Sequence, residues 1–232
     1  MEATKPKVTT AVLAQLLFFV IGIPLLPLLI SWRWAWWEGW AYALITILGF
    51  IISRALAARR HPDLLAERAR FAQQPDAKPW DKWLAPAVAL GGGLIPLAAG
   101  LDALLGWSTP FSLPLKLVAL LAILAGYALS SYALIVNRYF SGMVRIQRER
   151  NHHVVSRGPY RWMRHPGYAG ALVTYLAVPF FLDSRSALVP ALVLAALLIL
   201  RTAWEDATLQ AELEGYQAYA RQVRYRLLPG VW

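Results

Sequence analysis

Six stretches of this chain run without a charged residue, and their lengths limit what it can fold into. Residues 8–30, 83–101 and 117–136 are each close to the ~20 apolar residues that cross a ~30 Å hydrocarbon layer as a helix. Residues 39–53 are fewer, but Trp34, Trp36, Trp37 and Trp40 crowd their start as an interfacial anchor does, and this predicts another span. Residues 167–182 and 186–200 are separated only by Asp183, Ser184 and Arg185. At ~1.5 Å per residue each is only ~23 Å long, so they predict a short helical hairpin. Composition agrees: the chain is 58% hydrophobic and 16% charged, against about 25% charged residues in soluble domains. The expected fold is all-α, a polytopic membrane bundle of about six spans.

The first run is too long for a signal-peptide core and ends without a small-residue cleavage site, so it is expected to stay in the protein. With the N-terminus inside, Lys5 and Lys7, the basic residues between Arg59 and Lys82, those between Arg138 and Arg164, and Arg221, Arg224 and Arg226 all fall in inner segments. Arg33, Lys116 and Arg185 are left outside. Positive residues favour the cytoplasmic side, which predicts both termini in the cytoplasm. The same topology accounts for the net charge of +10. Nucleic acid is therefore not an expected partner, whereas membrane lipids are.

Cysteine is absent, which excludes disulfides, thiolate metal sites and cysteine nucleophiles together. Four histidines without cysteine do not predict a metal site. Arg60-His61-Pro62 opens a charged amphipathic stretch to Arg68, expected along the membrane surface or as a connector anchored by Leu64 and Leu65. Gly91-Gly92-Gly93 lacks the Lys-Ser/Thr of a phosphate loop and predicts close helix packing. From Arg138 to Pro166 the chain is basic and polar, punctuated by Gly142, Gly158 and Pro159, which marks an ordered loop. Past Leu200 the apolar positions Leu209, Leu213, Tyr216, Ala220 and Val223 recur at helical steps, predicting an amphipathic extension of the last helix. Arg201 and Glu205, four apart, share one face of it, as an ordinary helix salt bridge or as part of a site.

These residues assemble into recognisable motifs. His152-His153-Val154-Val155, Gly158-Pro159-Tyr160, Arg164-His165-Pro166-Gly167-Tyr168-Ala169-Gly170, Arg201-Thr202-Ala203-Trp204-Glu205-Asp206 and Tyr225-Arg226-Leu227-Leu228-Pro229 resemble, in order, the signature of the isoprenylcysteine carboxyl methyltransferase family. The resemblance covers roughly residues 137–232 and suggests a division into a four-span region, 1–136, and a catalytic region, 137–232, integrated into one domain. It implies S-adenosylmethionine as cofactor and a lipophilic or lipidated acceptor entering from the bilayer. By motif position it implies that His152, Val155, Tyr160, His165, Pro166, Tyr168 and Glu205 line the cofactor site and that Arg201 reaches the acceptor. For an upstream polar contact, Arg145 fits by spacing and Gln147 by type. The family commonly has two glutamates where this chain has Glu205-Asp206, which leaves the role of Asp206 open.

The residue types suit that chemistry. Aromatic rings and a carboxylate attract the cofactor's cations, and Arg and backbone N–H groups can hold its carboxylate. A carboxylate acceptor is already ionised at neutral pH and needs no general base. Three other functions remain on the sequence alone: methylation of a phospholipid or other amine, an NADPH-dependent sterol-type reductase with Arg145, Arg148 and Arg150 around the 2′-phosphate, and a non-catalytic membrane scaffold.

Overall fold

A computed structural model describes residues 17–69 and 74–232. Among them the chain is helical throughout, with no strand. A π turn, Phe18–Gly22, leads into α1 (Ile23–Ser31); then follow α2 (Trp37–Arg60), α3 (Pro62–Ala69), α4 (Asp81–Leu105), α5 (Leu113–Val136), α6 (Pro166–Phe181), α7 (Leu188–Glu212) and α8 (Tyr216–Gln222). Short 3₁₀ turns, Arg148–Arg150 and Gly158–Arg161, punctuate the loop between α5 and α6. Residues 8–16 of the first apolar run, with Lys5, Lys7 and Arg70, lie outside the described residues.

Four helices, α2, α4, α5 and α7, are long and apolar enough to cross a membrane, while Phe18–Ser31 and α6 are shorter. Large apolar side chains cover their outward faces: Leu48, Val118, Leu121 and Val189 are 51–66% exposed. Such a continuous apolar surface suits lipid rather than water, and the protein is an integral membrane protein. Trp34, Trp37 and Trp40 are exposed at the head of α2, where the Trp40 indole donates to the Trp34 carbonyl at 2.9 Å.

Helix ends differ from the charge-free runs in one instructive way. The second run stops at Ser53, but α2 continues to Arg60, because a charge at a helix end need not break the helix when its side chain faces a polar interior. The hairpin is asymmetric for the same reason: α6 has 16 residues and α7 has 25, α7 carrying Arg201, Glu205 and Asp206 inside an unbroken helix. The extension expected past Leu200 runs unbroken to Glu212 and not through to Val223. The chain turns at Leu213–Gly215, where Gly215 takes a φ of +79°, and restarts as α8.

Small residues set the helix spacing. Gly126 of α5 and Gly170 of α6 face each other so closely that a Cβ on either would meet the other's carbonyl oxygen, the close approach that lipid-embedded helices use. Ser130 and Thr174 line the seam and donate to the Gly167 and Gly170 carbonyls, each at 3.0 Å. Gly91, Gly92 and Gly93 pack as expected, each against a different helix: toward Leu194 of α7, Tyr175 of α6 and Ile23 of α1. The buried core, with Ile95, Ile123, Val178, Phe181 and Leu194, runs through the middle of the bundle.

Successive long helices alternate in direction, so polar residues gather at two ends. At the hairpin-turn end Lys116 bridges Glu38 at 2.5 Å and Asp183 at 2.8 Å. Asp102 there accepts from the hydroxyls of Ser108, Ser184 and Ser186, each at 2.8 Å. The loop end collects the tails of α2, α5 and α7, the start of α4 and α6, the whole of α3, and the chain's C-terminus.

Candidate functional site

The loop between α5 and α6 is held by α3 and α4 rather than by lipid. Asp63 pairs with Arg138 at 3.0 Å and Arg150 at 2.6 Å, and Leu64 is buried against Ala57 and Leu134. Arg145 is nearly buried and pairs with Glu67, Asp76 and Glu149 at 2.6–2.9 Å. The expected surface connector is therefore a wall of the site. Gly158 adopts a φ of +59°, and a Cβ there would press on Tyr132 and Val136 at 3.1 Å, so the Gly-Pro-Tyr turn requires glycine. It buries Tyr160, whose hydroxyl accepts from the Asn137 amide at 3.2 Å. Pro166 starts α6 at a position where a missing N–H costs nothing.

The second anchor is Asp206, fully buried in α7. Arg164 grips both its oxygens, at 2.7 and 2.9 Å, and Arg226 joins at 2.9 Å. His165 Nε2 lies 3.2 Å and the Tyr216 hydroxyl 3.0 Å from Oδ1. Backbone bonds from Arg164 and His165 N–H groups to the Tyr225 and Arg226 carbonyls, both 2.9 Å, zip the Arg-His-Pro motif to the C-terminal motif. Asp206 thus ties three motifs together from behind and does not line the cavity they surround.

That cavity has a volume of about 430 Å³, within the range of small-molecule sites. Its lining includes Arg145, His152, Val155, Tyr160, His165, Tyr168, Arg201 and Glu205. Gln147 and Pro166 do not line it: Gln147 is fully buried, donating to the Tyr139 carbonyl at 2.8 Å and accepting from Arg150. Tyr168 stacks beside the His165 ring at 5.9 Å between centroids and donates to Glu205 Oε2 at 2.6 Å. His152 packs on the Tyr139 ring at 4.4 Å. Burial, then the nearby His153, Arg150 and Arg145, push its pKa down to about 4, so the ring is neutral at pH 7.

Arg201 and Glu205 do not form the simple helix salt bridge. Arg201 donates to both oxygens of the fully buried Asp81, at 2.7 and 2.8 Å, and to the Gly142 carbonyl at 2.8 Å. Glu205 faces the cavity, with Tyr168 as its hydrogen-bond partner among the described residues. From the site the cavity continues into the bundle past Phe50, Thr46, Val88, Tyr127, Ala171 and Tyr175.

This arrangement of motifs can be compared with known proteins. Residues 117–211 match the Isoprenylcysteine carboxyl methyltransferase (ICMT) family. Two relatives, each named "Probable protein-S-isoprenylcysteine O-methyltransferase", from Oryza sativa subsp. indica and subsp. japonica, are 37% identical over 57 residues. Each alignment covers 24% of this chain and 30% of the relative. The resemblance read from the motifs is borne out over the loop, α6 and nearly all of α7, and the match also takes in most of α5. The ICMT match starts earlier than the motifs and stops before the Tyr225–Pro229 motif, which the structure nevertheless joins to Arg164 and His165. Asp81, Arg54 and Arg68, contributed by α4, α2 and α3, lie outside the ICMT segment yet reach the site. Sequence reading missed all three as site residues, along with Asn137 and Tyr139; only Arg68 had been counted, as a loop charge.

Proposed function

We propose that the protein is an S-adenosylmethionine-dependent methyltransferase of the membrane that methylates a lipophilic acceptor, most simply a carboxylate on an isoprenylcysteine. One observation carries this: Tyr160, His165, Tyr168 and Glu205, from three separate motifs, converge on a cavity that runs from the polar loop into the apolar bundle. Six membrane crossings, counting Phe18–Ser31 and α6, with the loop end cytoplasmic, put the cavity mouth where a soluble cofactor arrives.

The residues fit the cofactor. Bound there, S-adenosylmethionine supplies an electrophilic methyl carbon on a sulfonium centre. Glu205, its carboxylate aimed by the Tyr168 hydroxyl, offers an anion to a cationic group. The faces of Tyr168 and Tyr160 add cation–π attraction, and a neutral His152 adds no repulsion. Cofactor contact through Arg145 is the better of the two upstream choices, because Arg145 reaches the lining and Gln147 does not. Pro166 then shapes the site from the start of α6 rather than touching the cofactor.

Arg201 serves the acceptor. Asp81 holds its Nε and Nη2, which fixes the guanidinium and leaves Nη1 for the cavity. With the cofactor bound, the acceptor's carboxylate oxygen would form the new O–CH3 bond with its own electron pair while the S–CH3 pair would leave with sulfur, so no residue of the chain would have to move a proton. The chain's work is alignment and exclusion of water. An acceptor tail lies along the apolar arm of the cavity and enters from the bilayer. The reductase reading loses two of its three phosphate partners, since Arg145 and Arg150 are already held by carboxylates and only Arg148 is left.

The test uses purified protein in lipid nanodiscs. S-adenosylhomocysteine, and not NADPH, should raise its melting temperature, since ligand binding to the native state stabilises it. Isotopically labelled S-adenosylmethionine should label N-acetyl-S-farnesylcysteine, or a component of a lipid extract identified by mass spectrometry. Stabilisation by NADPH alone would sink the reading; a labelled amine would move the acceptor to nitrogen.

A further inference from the structure

Two of the positive charges lining the cavity have no ion-pair partner among the described residues, and the one carboxylate in its described wall, Glu205, is held by Tyr168. Arg145, Arg164 and Arg201 each have carboxylate partners. Arg54, in the last two turns of α2, and Arg68 of α3 line the same cavity and have no ion-pair partner among the described residues. Arg54 donates to the hydroxyl of buried Ser53 at 3.1 Å and lies over the Phe50 ring at 4.2 Å. Arg68 donates to the Phe140 carbonyl at 3.0 Å and lies over the Phe140 ring at 5.4 Å. Both guanidiniums are thus held in place by neutral groups that position them without cancelling them. Burial, then the like charge of Arg54, push Arg68 down to about 9, as expected for cations gathered without a counter-charge; a guanidinium still keeps its proton at pH 7.

Two uncompensated cations in a partly apolar cavity cost free energy unless something anionic joins them. Phe50, Val88 and Tyr127 contribute apolar and aromatic surface to the wall of the same cavity. We infer that Arg54 and Arg68 form the receptor for a carboxylate carried on an apolar chain, the acidic head lying at the two guanidiniums and the chain along the arm of the cavity between the helices. This rests on the methyltransferase reading only in identifying that carboxylate with the methyl acceptor. Neither arginine belongs to the ICMT segment, so acceptor selection draws on α2 and α3 as well as on Arg201 of α7, while the cofactor is held by Glu205, α6 and the loop. Once the head is a neutral ester, the guanidiniums lose their hold on it, which favours product release.

The test compares Arg54→Gln and Arg68→Gln with wild type in phosphatidylcholine nanodiscs containing S-adenosylhomocysteine. N-acetyl-S-farnesylcysteine, its carboxamide and phosphatidic acid serve as probes, with affinity read from thermal shift. Wild type should prefer the acid to the amide at least tenfold. Each substitution should weaken the acid about tenfold, leave the amide and S-adenosylhomocysteine unchanged, and keep or raise the ligand-free melting temperature, because a repelling charge has gone. A merely structural arginine would lower that temperature. Arg54→Lys, which keeps the charge, should retain part of the preference and supplies the comparison if a glutamine variant fails to fold. Unchanged acid affinity in both variants, or parallel loss of acid and amide, overturns the inference, as does displacement of the acid by an equal concentration of phosphatidic acid, which would make this a bilayer-lipid site. An acid preference that persists in wild type with no response to S-adenosylhomocysteine strikes the methyltransferase reading and leaves the receptor standing.

Discussion

At the hairpin-turn end of the bundle the buried acids Glu38 and Asp102 and the half-buried Asp183 sit against an ammonium or a set of hydroxyls, whereas at the loop end Glu205, Arg54 and Arg68 line a cavity without an ion-pair partner among the described residues. Both ends take ionisable groups out of water. At the first, the groups complete one another and their product is rigidity. At the second, Asp81 and Asp206 complete a supporting shell around Arg201, Arg164 and His165, and the groups in front of that shell are left incomplete. A site that must receive charged molecules keeps its charges unsatisfied until they arrive, and a satisfied frame behind them has to supply the stability.

The contrast is most severely tested where its cost is highest. Lys116→Met leaves the buried Glu38 and the half-buried Asp183 without their cation and should destabilise the protein by about 3–5 kcal/mol. The remaining folded molecules should bind S-adenosylhomocysteine as wild type does. Chemical denaturation beside calorimetric titration checks both halves, and a weakened cofactor affinity would mean that the two ends are coupled. Glu205→Gln should do the opposite. Stability stays within about 0.5 kcal/mol, while S-adenosylhomocysteine affinity falls by about 1.5–3 kcal/mol, or roughly ten- to a hundredfold, the usual worth of a hydrogen bond to a charged group.

Arg201 stands between these cases because it belongs to the frame and to the site. Arg201→Ala strands Asp81 in the interior with the Val144 N–H as its remaining partner at 2.6 Å, so lost folding would mask lost chemistry. Arg201→Lys retains the charge but not the two-pronged geometry. Turnover should fall about tenfold, with S-adenosylhomocysteine affinity within twofold of wild type. If cofactor affinity falls in step with turnover, the Arg201–Asp81 pair is scaffolding alone and the acceptor role is withdrawn.

Much of this was legible in the sequence, for reasons that also explain what was not. Charge-free runs locate helices because lipid penalises charge whatever the tertiary fold, and the motif residues Tyr160, His165, Tyr168 and Glu205 share a cavity because local turn chemistry at Gly158 and Pro166 fixes where they point. Helix ends were misjudged where a charge faces inward: Arg54 closed the apolar run without closing α2. Asp81 could not be found at all, since its meaning lies in a partner 120 positions away on α7. Asp206 looked like half of an acidic pair, yet lies on the far side of the helix from the cavity. One residue's offset turned it by about 100° around α7 and gave it a structural task.

The smallest effect expected concerns His152, which tests whether the loop end is tuned as well as incomplete. Its pKa lies near 4 rather than the usual 6.5 because burial against Tyr139 disfavours the cation, and His153, Arg150 and Arg145 add repulsion that Glu149 only partly offsets. The folded state therefore binds this proton less readily than the unfolded chain. As pH falls from 6.5 toward 4, the unfolded His152 protonates while the folded ring resists, so its contribution to stability is present above pH 6.5 and is lost across that window. At pH 5 the loss should be on the order of 1 kcal/mol, discounted for the partial exposure of the ring. His152→Phe keeps an aromatic ring on Tyr139 and removes the titration, so the wild-type minus variant difference in unfolding free energy should shrink between pH 7 and pH 5. S-adenosylhomocysteine affinity of the wild type should stay flat from pH 8 to pH 6, since the ring is neutral throughout. A rise in that difference toward pH 5 would show that His152 is protonated in the folded protein, and that an anion, rather than the face of a tyrosine, is its working partner.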